Sequence, residues 1–251
     1  MQHSRDCCSP ASPKNQSRRN WLKTSAGAGL AAATAGLSVV PATSFAASLT
    51  EEQRNAMTPD QVIEMLREGN ARFRSGKMQS HDFLAQKRAT ASGQYPAAVV
   101  LSCIDSRAPA EIIFDTGIGD AFGARIAGNI STPDLIGSME FACAVAGAKL
   151  VLVVGHTACG AIAGAISGVQ LGNLTGLLQQ IEPAVATTVY DGERTGSNPA
   201  FVDAVAQENV LRTVEAIRKN SSILAELEKE GRIKIVGSMY DLSNGEVTFL
   251  S

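Results

Sequence analysis

Two short segments of this chain hold residue types that bind and activate small molecules: Cys103-Ile104-Asp105-Ser106-Arg107 and Gly155-His156-Thr157-Ala158-Cys159-Gly160. Each lies at the end of an apolar run of strand length, 97–104 and 150–154. Two thiolates and an imidazole are borderline-soft ligands that suit zinc, and three protein ligands leave a fourth position for water or substrate. That is the pattern of a catalytic site, not of a closed structural one. Taken singly, Cys103 reads equally well as a core cysteine, His156 as a helix-start residue and Cys159 as a small apolar filler. Their joint placement at two strand ends is what points to a metal. Cys143, inside the apolar run Phe141-Ala142-Cys143-Ala144, reads as core.

These residues converge only if their strands are neighbours in a parallel sheet, where ligands bind beyond the carboxyl ends of the strands at a switch point. The apolar runs 97–104, 121–126, 150–154 and 233–239 are separated by helical patterns at 133–148, 174–188 and 201–219. This βαβα order predicts an α/β fold, a mainly parallel sheet with helices on both faces. An N-terminal helical arm precedes it. Thr58 is the N-cap, Pro59 the first helical residue and Gln61 the partner in a capping box, and the helix runs to Arg74 with Val62, Met65, Leu66 and Phe73 at mostly helical spacing. A second helical stretch covers 82–91. After the turn Ser243-Asn244-Gly245, residues 247–250 add a C-terminal edge strand by hairpin.

The chain of 251 residues is 45% hydrophobic and 18% charged with a net charge of −2, the balance of a globular protein with a sizeable core and no nucleic-acid partner. Residues 1–46 read as a targeting segment and not as part of the fold. Ser17-Arg18-Arg19-Asn20-Trp21-Leu22-Lys23 precedes a mildly apolar run at 26–40, whose 15 residues are too few for a membrane span of about 20. Ser44-Phe45-Ala46 then offers small residues to a signal peptidase, and no cysteine follows the apolar run to carry a lipid, so no stable membrane anchor is expected. Cleavage after Ala46 removes five of the 22 basic residues and one of the 24 acidic ones, leaving a net charge of −6. Cys103, Cys143 and Cys159 remain, an odd number that argues against a simple disulfide framework in an oxidising compartment.

The amino-terminal segment resembles a twin-arginine signal, which implies export of a folded protein to the periplasm or another extracytoplasmic space. The CIDSR and GHTACG segments resemble the two zinc-binding signatures of the β-class carbonic anhydrases. The likeness extends over residues 47–251, through Glu111-Ile112-Ile113-Phe114-Asp115, Arg125-Ile126-Ala127-Gly128-Asn129, Leu171-Gly172-Asn173-Leu174-Thr175 and Tyr240-Asp241-Leu242. It implies one zinc ion per chain on Cys103, His156 and Cys159, with Asp105 and Arg107 as an adjacent dyad. It also implies reversible hydration of carbon dioxide to bicarbonate, in a homodimer or homotetramer with active sites close to the subunit interface.

Zinc with two thiolates is formally neutral and still acidifies water, less strongly than a site with three histidines. Asp105 either orients that water or, in a closed state, becomes the fourth zinc ligand, and Arg107 chooses between the two by pairing with it. A structural strand-end salt bridge is the plainer alternative for this pair. His81 lies in a loop, as a solvated residue before a proton shuttle. Some members of the family carry a regulatory bicarbonate pocket built on a tryptophan, and the only tryptophan here, Trp21, is in the signal, so that pocket is not expected. Ala108-Pro109-Ala110 and Gly123-Ala124 are smaller than expected beside these motifs, which leaves the pocket shape open. A carbon disulfide or carbonyl sulfide hydrolase on the same scaffold is a rival reading, as is a non-catalytic zinc or thiol-redox protein with a Cys103–Cys159 disulfide. Export is expected to depend on the arginine pair: Arg18→Lys with Arg19→Lys should weaken it, measured by cell fractionation, and unchanged export would show that the general secretory route suffices.

Overall fold

The computed structural model describes residues 47–250, so the segment read as a signal lies outside the described residues. Five strands, β1 Ala98–Ser102, β2 Ala121–Arg125, β3 Leu150–His156, β4 Lys234–Tyr240 and β5 Val247–Phe249, form a sheet in the order β2-β1-β3-β4-β5. The first four are parallel, and β5 joins β4 antiparallel through the turn at Ser243-Asn244-Gly245. The crossovers are helical: α1 Glu51–Ala56, α2 Pro59–Arg74 and α3 Phe83–Ala89 precede β1, and α4 Ala110–Ile113 follows it. Then come α5 Pro133–Glu140, which continues as a π-helical turn over Phe141–Val145, and α6 Gly160–Ile166, α7 Gly172–Gln179, α8 Glu182–Thr187, α9 Pro199–Asn220 and α10 Ser222–Lys229. The α/β architecture, the arm and the edge strand are as the sequence predicts.

Side chains alternate across the strands and so build two cores. Val99, Leu101, Val151 and Val153 face Val210, Val214 and Ile217 of α9. Ala98, Val100, Leu150 and Leu152 face the other way, against Val62 and Leu66 of α2 and Ile113 and Phe114. Both faces are thus covered, and each fully buried Val or Leu contributes about 1.5–3 kcal/mol. The helical arm packs on this chain's own sheet. Its capping box forms as expected, Gln61 N–H donating to Thr58 Oγ1 and Thr58 N–H to Gln61 Oε1. Gly155 is a close approach of α9 and β4 to β3: a Cβ there would lie 2.5 Å from Val210 Cγ2 and 2.7 Å from Met239 Sδ.

Element limits differ from the periodicity where backbone chemistry intervenes. The pattern at 174–188 is split into α7 and α8, with Pro183 seated in the first turn of α8, where its missing N–H costs nothing. α1, α4 and α6 are too short to announce themselves as periodic apolar stripes, and α10 goes unread although Leu224 and Leu227 share its buried face.

The loop between α2 and α3 is not solvated at His81. Its side chain is 7% exposed, with Nε2–H donating to Asp115 Oδ1 at 3.1 Å and the ring stacked on Phe83. Asp115, its side chain fully buried, also accepts from Arg72 Nε at 2.6 Å and from Gln79 N–H at 3.0 Å. The apolar flank therefore closes over this residue because the carboxylate gathers the donors of two segments.

Part of the sheet border beside β5 is closed by side chains. β5 pairs with Ser238–Tyr240 and Leu250 N–H reaches Gly237 O, so on the side away from β3 residues 234–236 of β4 have no strand beside them. There Ile235 N–H donates to Glu228 Oε1 at 3.1 Å, and Ile235 O accepts from Arg218 Nη2 at 2.8 Å. Arg218 and Glu228 are themselves joined at 2.7 and 2.9 Å.

Burial pushes the Asp115 carboxyl up, but Arg72, the Gln79 amide and His81 outweigh it and hold the group below its ordinary value. A folded-state value below the unfolded one stabilises fully above about pH 4, and the contribution is lost as pH falls through the folded value. Asp115→Asn keeps a residue type that tolerates the left-handed φ of 48° at this position but removes the charge. It should cost about 2 kcal/mol near neutral pH, a difference that narrows below about pH 4, read from urea unfolding across a pH series. A difference independent of pH would show that the cluster works by shape alone.

Candidate active site

β1 and β3 are neighbours, with Ser102 opposite Val154. Cys103 therefore leaves β1 at the same end of the sheet where β3 runs on to His156. Because β2 lies on one side of β1 and β3 on the other, this end is the switch point at which crossovers diverge and leave a crevice. Cys159 sits just before the first residue of α6. The ligand atoms of Cys103, His156 and Cys159 lie within 4.8 Å of one another, and all three residues are buried. The sequence-predicted trio is brought together.

Local chemistry prepares each member. His156 Nδ1 is 2.9 Å from the carbonyl oxygen of Thr157, which can only accept, so Nδ1 carries the proton and Nε2 presents its lone pair. That Nε2 is buried with no hydrogen-bond partner. Gly128 N–H donates to Cys103 Sγ at 3.4 Å, and its φ of +67° suits a residue without Cβ, which would lie 2.6 Å from Ile181 Cδ1. The hydrogen bond from Cys159 pulls the Cys103 thiol down, aided by the backbone N–H of Gly128 and opposed by burial. The resulting thiolate pushes Cys159 up, as does burial. A second negative sulfur is thus stable here only beside a cation. An orphaned imidazole lone pair beside two sulfurs that need positive charge fits a thiophilic divalent metal such as zinc.

Asp105 and Arg107 form the expected pair. Arg107 Nη2 donates to Asp105 Oδ2 at 2.8 Å and Nε to Oδ1 at 3.0 Å, a two-toothed grip reinforced by the Arg107 backbone N–H at 2.9 Å. The hydrogen bond from Arg107 is the main reason that the Asp105 carboxyl lies well below the usual carboxylate range. Asp105 Oδ2 is 3.8 Å from His156 Nε2, so the carboxylate borders the three-residue cradle without leaving its guanidinium.

Several supporting residues carried no role in the sequence reading. Arg125 Nε donates to the carbonyl of Cys103 at 2.9 Å and Nη2 to that of Asp105 at 2.6 Å, fixing the loop after β1. Asn209 Nδ2 donates to Gly128 O at 2.8 Å. Its signal was available, since Asn209 is a polar residue in the buried stripe that Val202, Val205, Ala206 and Val210 make along α9. Ala108 and Ala110 are small because they are buried in the core beneath the loop. The three cysteines among the described residues are free, so the redox alternative has no disulfide here.

A family model described as carbonic anhydrase matches residues 98–247. The chain belongs to the carbonic anhydrase family. Carbonic anhydrase 2 of Mycobacterium tuberculosis is 39% identical over 189 residues, covering 74% of this chain and 90% of the relative. The carbonic anhydrase of Mycolicibacterium smegmatis is 34% identical over 195 residues, covering 77% and 94%. Among solved structures, a tetrameric β-carbonic anhydrase of Sordaria macrospora superposes with a TM-score of 0.58 at 24% identity, over 76% of this chain and 98% of that one. A β-carbonic anhydrase of Aspergillus fumigatus gives 0.58 and 24%, over 76% and 90%. The fold is that of the β class, and the enzyme is a carbonic anhydrase.

Cys143 stands apart from this chemistry, 3% exposed in the core, with burial pushing its thiol up to about 12. Alkylation of the native carbonic anhydrase at pH 8 should leave Cys143 unmodified and denaturation should expose it, as peptide mass spectrometry would record. Rapid modification in the native state would show that this core opens.

Proposed function

We propose that this carbonic anhydrase catalyses reversible hydration of carbon dioxide to bicarbonate and a proton, using one zinc ion held by Cys103, His156 and Cys159. The reading rests on the buried, unpartnered Nε2 of His156 beside two cysteine sulfurs, the ligand atoms all within 4.8 Å of one another. When bound, zinc supplies the Lewis acidity that makes water a nucleophile near neutral pH. The chain's own groups do the rest. Thr157 O keeps His156 in the tautomer that offers Nε2. Asp105, held ionised by Arg107, accepts a hydrogen bond from the attacking water and aims its lone pair at the carbon of the substrate. Carbon dioxide is small and apolar and needs little more than a water-poor crevice beside that nucleophile. Arg107 occupies both oxygens of Asp105 and so keeps the carboxylate from turning into the cradle, where it would act as the closed-state ligand.

The same reading extends to assembly and location. Homodimers or homotetramers are supported by the tetrameric relative and by exposed apolar side chains near edge strand β2, among them Phe141, 51% exposed and packed edge-on against Phe122. Export by the twin-arginine route rests on Arg18-Arg19 and the run that follows. Its chemical advantage is that folding and zinc loading take place in a reducing compartment, before Cys103 and Cys159 meet oxidants. Among the described residues no helix is long and apolar enough to cross a membrane.

Purified protein should hydrate carbon dioxide in a stopped-flow indicator assay with one zinc per chain, and Cys159→Ala should lose metal and activity together. Full activity in a folded Cys159→Ala protein would remove the basis of the reading. Arg107→Ala should keep zinc near one per chain yet lose most activity, because the freed Asp105 takes the position that water needs. Raising pH supplies more hydroxide to compete for that position, so part of the lost activity should return on the alkaline side. Asp105→Ala should show little such recovery, and loss of zinc from Arg107→Ala would make the dyad structural.

A further inference from the structure

The residues between His156 and Cys159 form a turn that the ligands depend on at both ends. The Thr157 carbonyl takes the His156 Nδ1 proton at 2.9 Å, and Ala158 leads directly into Cys159. Ala158 has a φ of 50°, the left-handed region that residues with a Cβ seldom occupy. Thr157 is tied down on the sheet side: its N–H donates to Tyr240 O at 3.0 Å, and its Oγ1 accepts the N–H of Leu242 at 3.0 Å. On the other side the Ala158 N–H donates to Asp203 Oδ1 of α9 at 2.8 Å. That carboxylate borders a cleft of about 320 Å³, lined also by Thr157, Gln207, Met239 and Asp241.

We propose that Asp203 is a positioning residue of the metal centre: by accepting the Ala158 amide it holds the left-handed turn that aims His156 and Cys159 at one point. The proposal rests on the zinc reading above. Without this acceptor Ala158 relaxes toward negative φ, which rotates the Thr157 and Ala158 peptides. The imidazole then loses its fixed tautomer and the Cys159 sulfur moves off the common focus. Glycine at 158 adopts positive φ without a Cβ penalty, so it needs the acceptor less.

The test is zinc release to an excess of chelator, followed on holo wild type, Asp203→Ala, Asp203→Asn, Ala158→Gly and the double variant Asp203→Ala with Ala158→Gly. Imidazole nitrogen NMR of His156 and melting of the metal-free forms are recorded alongside. Asp203→Ala should release zinc faster by roughly 10–100-fold, as loss of a supporting hydrogen bond typically does, with tautomer exchange appearing at His156. Asp203→Asn keeps an acceptor oxygen and should stay near wild type, and the double variant should recover much of the loss. Where Asp203→Ala also lowers the melting temperature, Asp203→Asn and the double variant decide. Equal release by wild type and Asp203→Ala, equal loss in Asp203→Asn and Asp203→Ala, or no recovery in the double variant would each overturn the proposal. Wild type without zinc would instead overturn the reading beneath it.

Discussion

Parallel pairing between β1 and β3 is the constraint on which everything at this site depends. It sets Ser102 against Val154, so one strand yields a cysteine where its neighbour, two residues longer, yields a histidine. A slip of one residue would turn each side chain to the opposite face, and the apolar alternation on both faces forbids it. Val99 and Leu101 would have to exchange cores with Ala98 and Val100. The focus of the ligands is therefore specified by hydrophobic packing that takes no part in the chemistry.

Around that focus the charges are arranged so that no one of them is at rest without the others. Two sulfurs share a buried position that tolerates one negative charge, and the imidazole turns its lone pair toward them. The nearby carboxylate is committed to Arg107. Backbone groups from three separate elements, Gly128, Thr157 and the Cys103 carbonyl held by Arg125, finish the arrangement. The centre is thus preorganised by the peptide framework, whose dipoles do not have to be recruited at the moment of reaction.

The sequence made the strands and the ligands legible for one reason: both are encoded in contiguous residues. A valine run followed by Cys103, or by His156, is read from neighbours in the chain. Asp203 and Asn209 escaped because their meaning is set by what lies opposite, the amide of Ala158 and the carbonyl of Gly128, some 45 and 81 positions away. His81 was read as solvated for the same reason, since its partner Asp115 is 34 residues distant and nothing local signals that the loop folds back. Helices α1, α4 and α6 were missed because fewer than two turns leave no stripe to detect, whereas α9 repeats its stripe over 22 residues.

The ion pair across β4 has a consequence for how such molecules can associate. Arg218 and Glu228 present Ile235 with a donor and an acceptor in the positions where an adjoining strand would place its own, so they imitate a peptide unit at that border. A strand from another molecule finds those backbone groups already engaged, and to pair there it must first displace two charged side chains that hold each other. At Ile235 the border is open to contact by side chains but closed to continuation of the sheet.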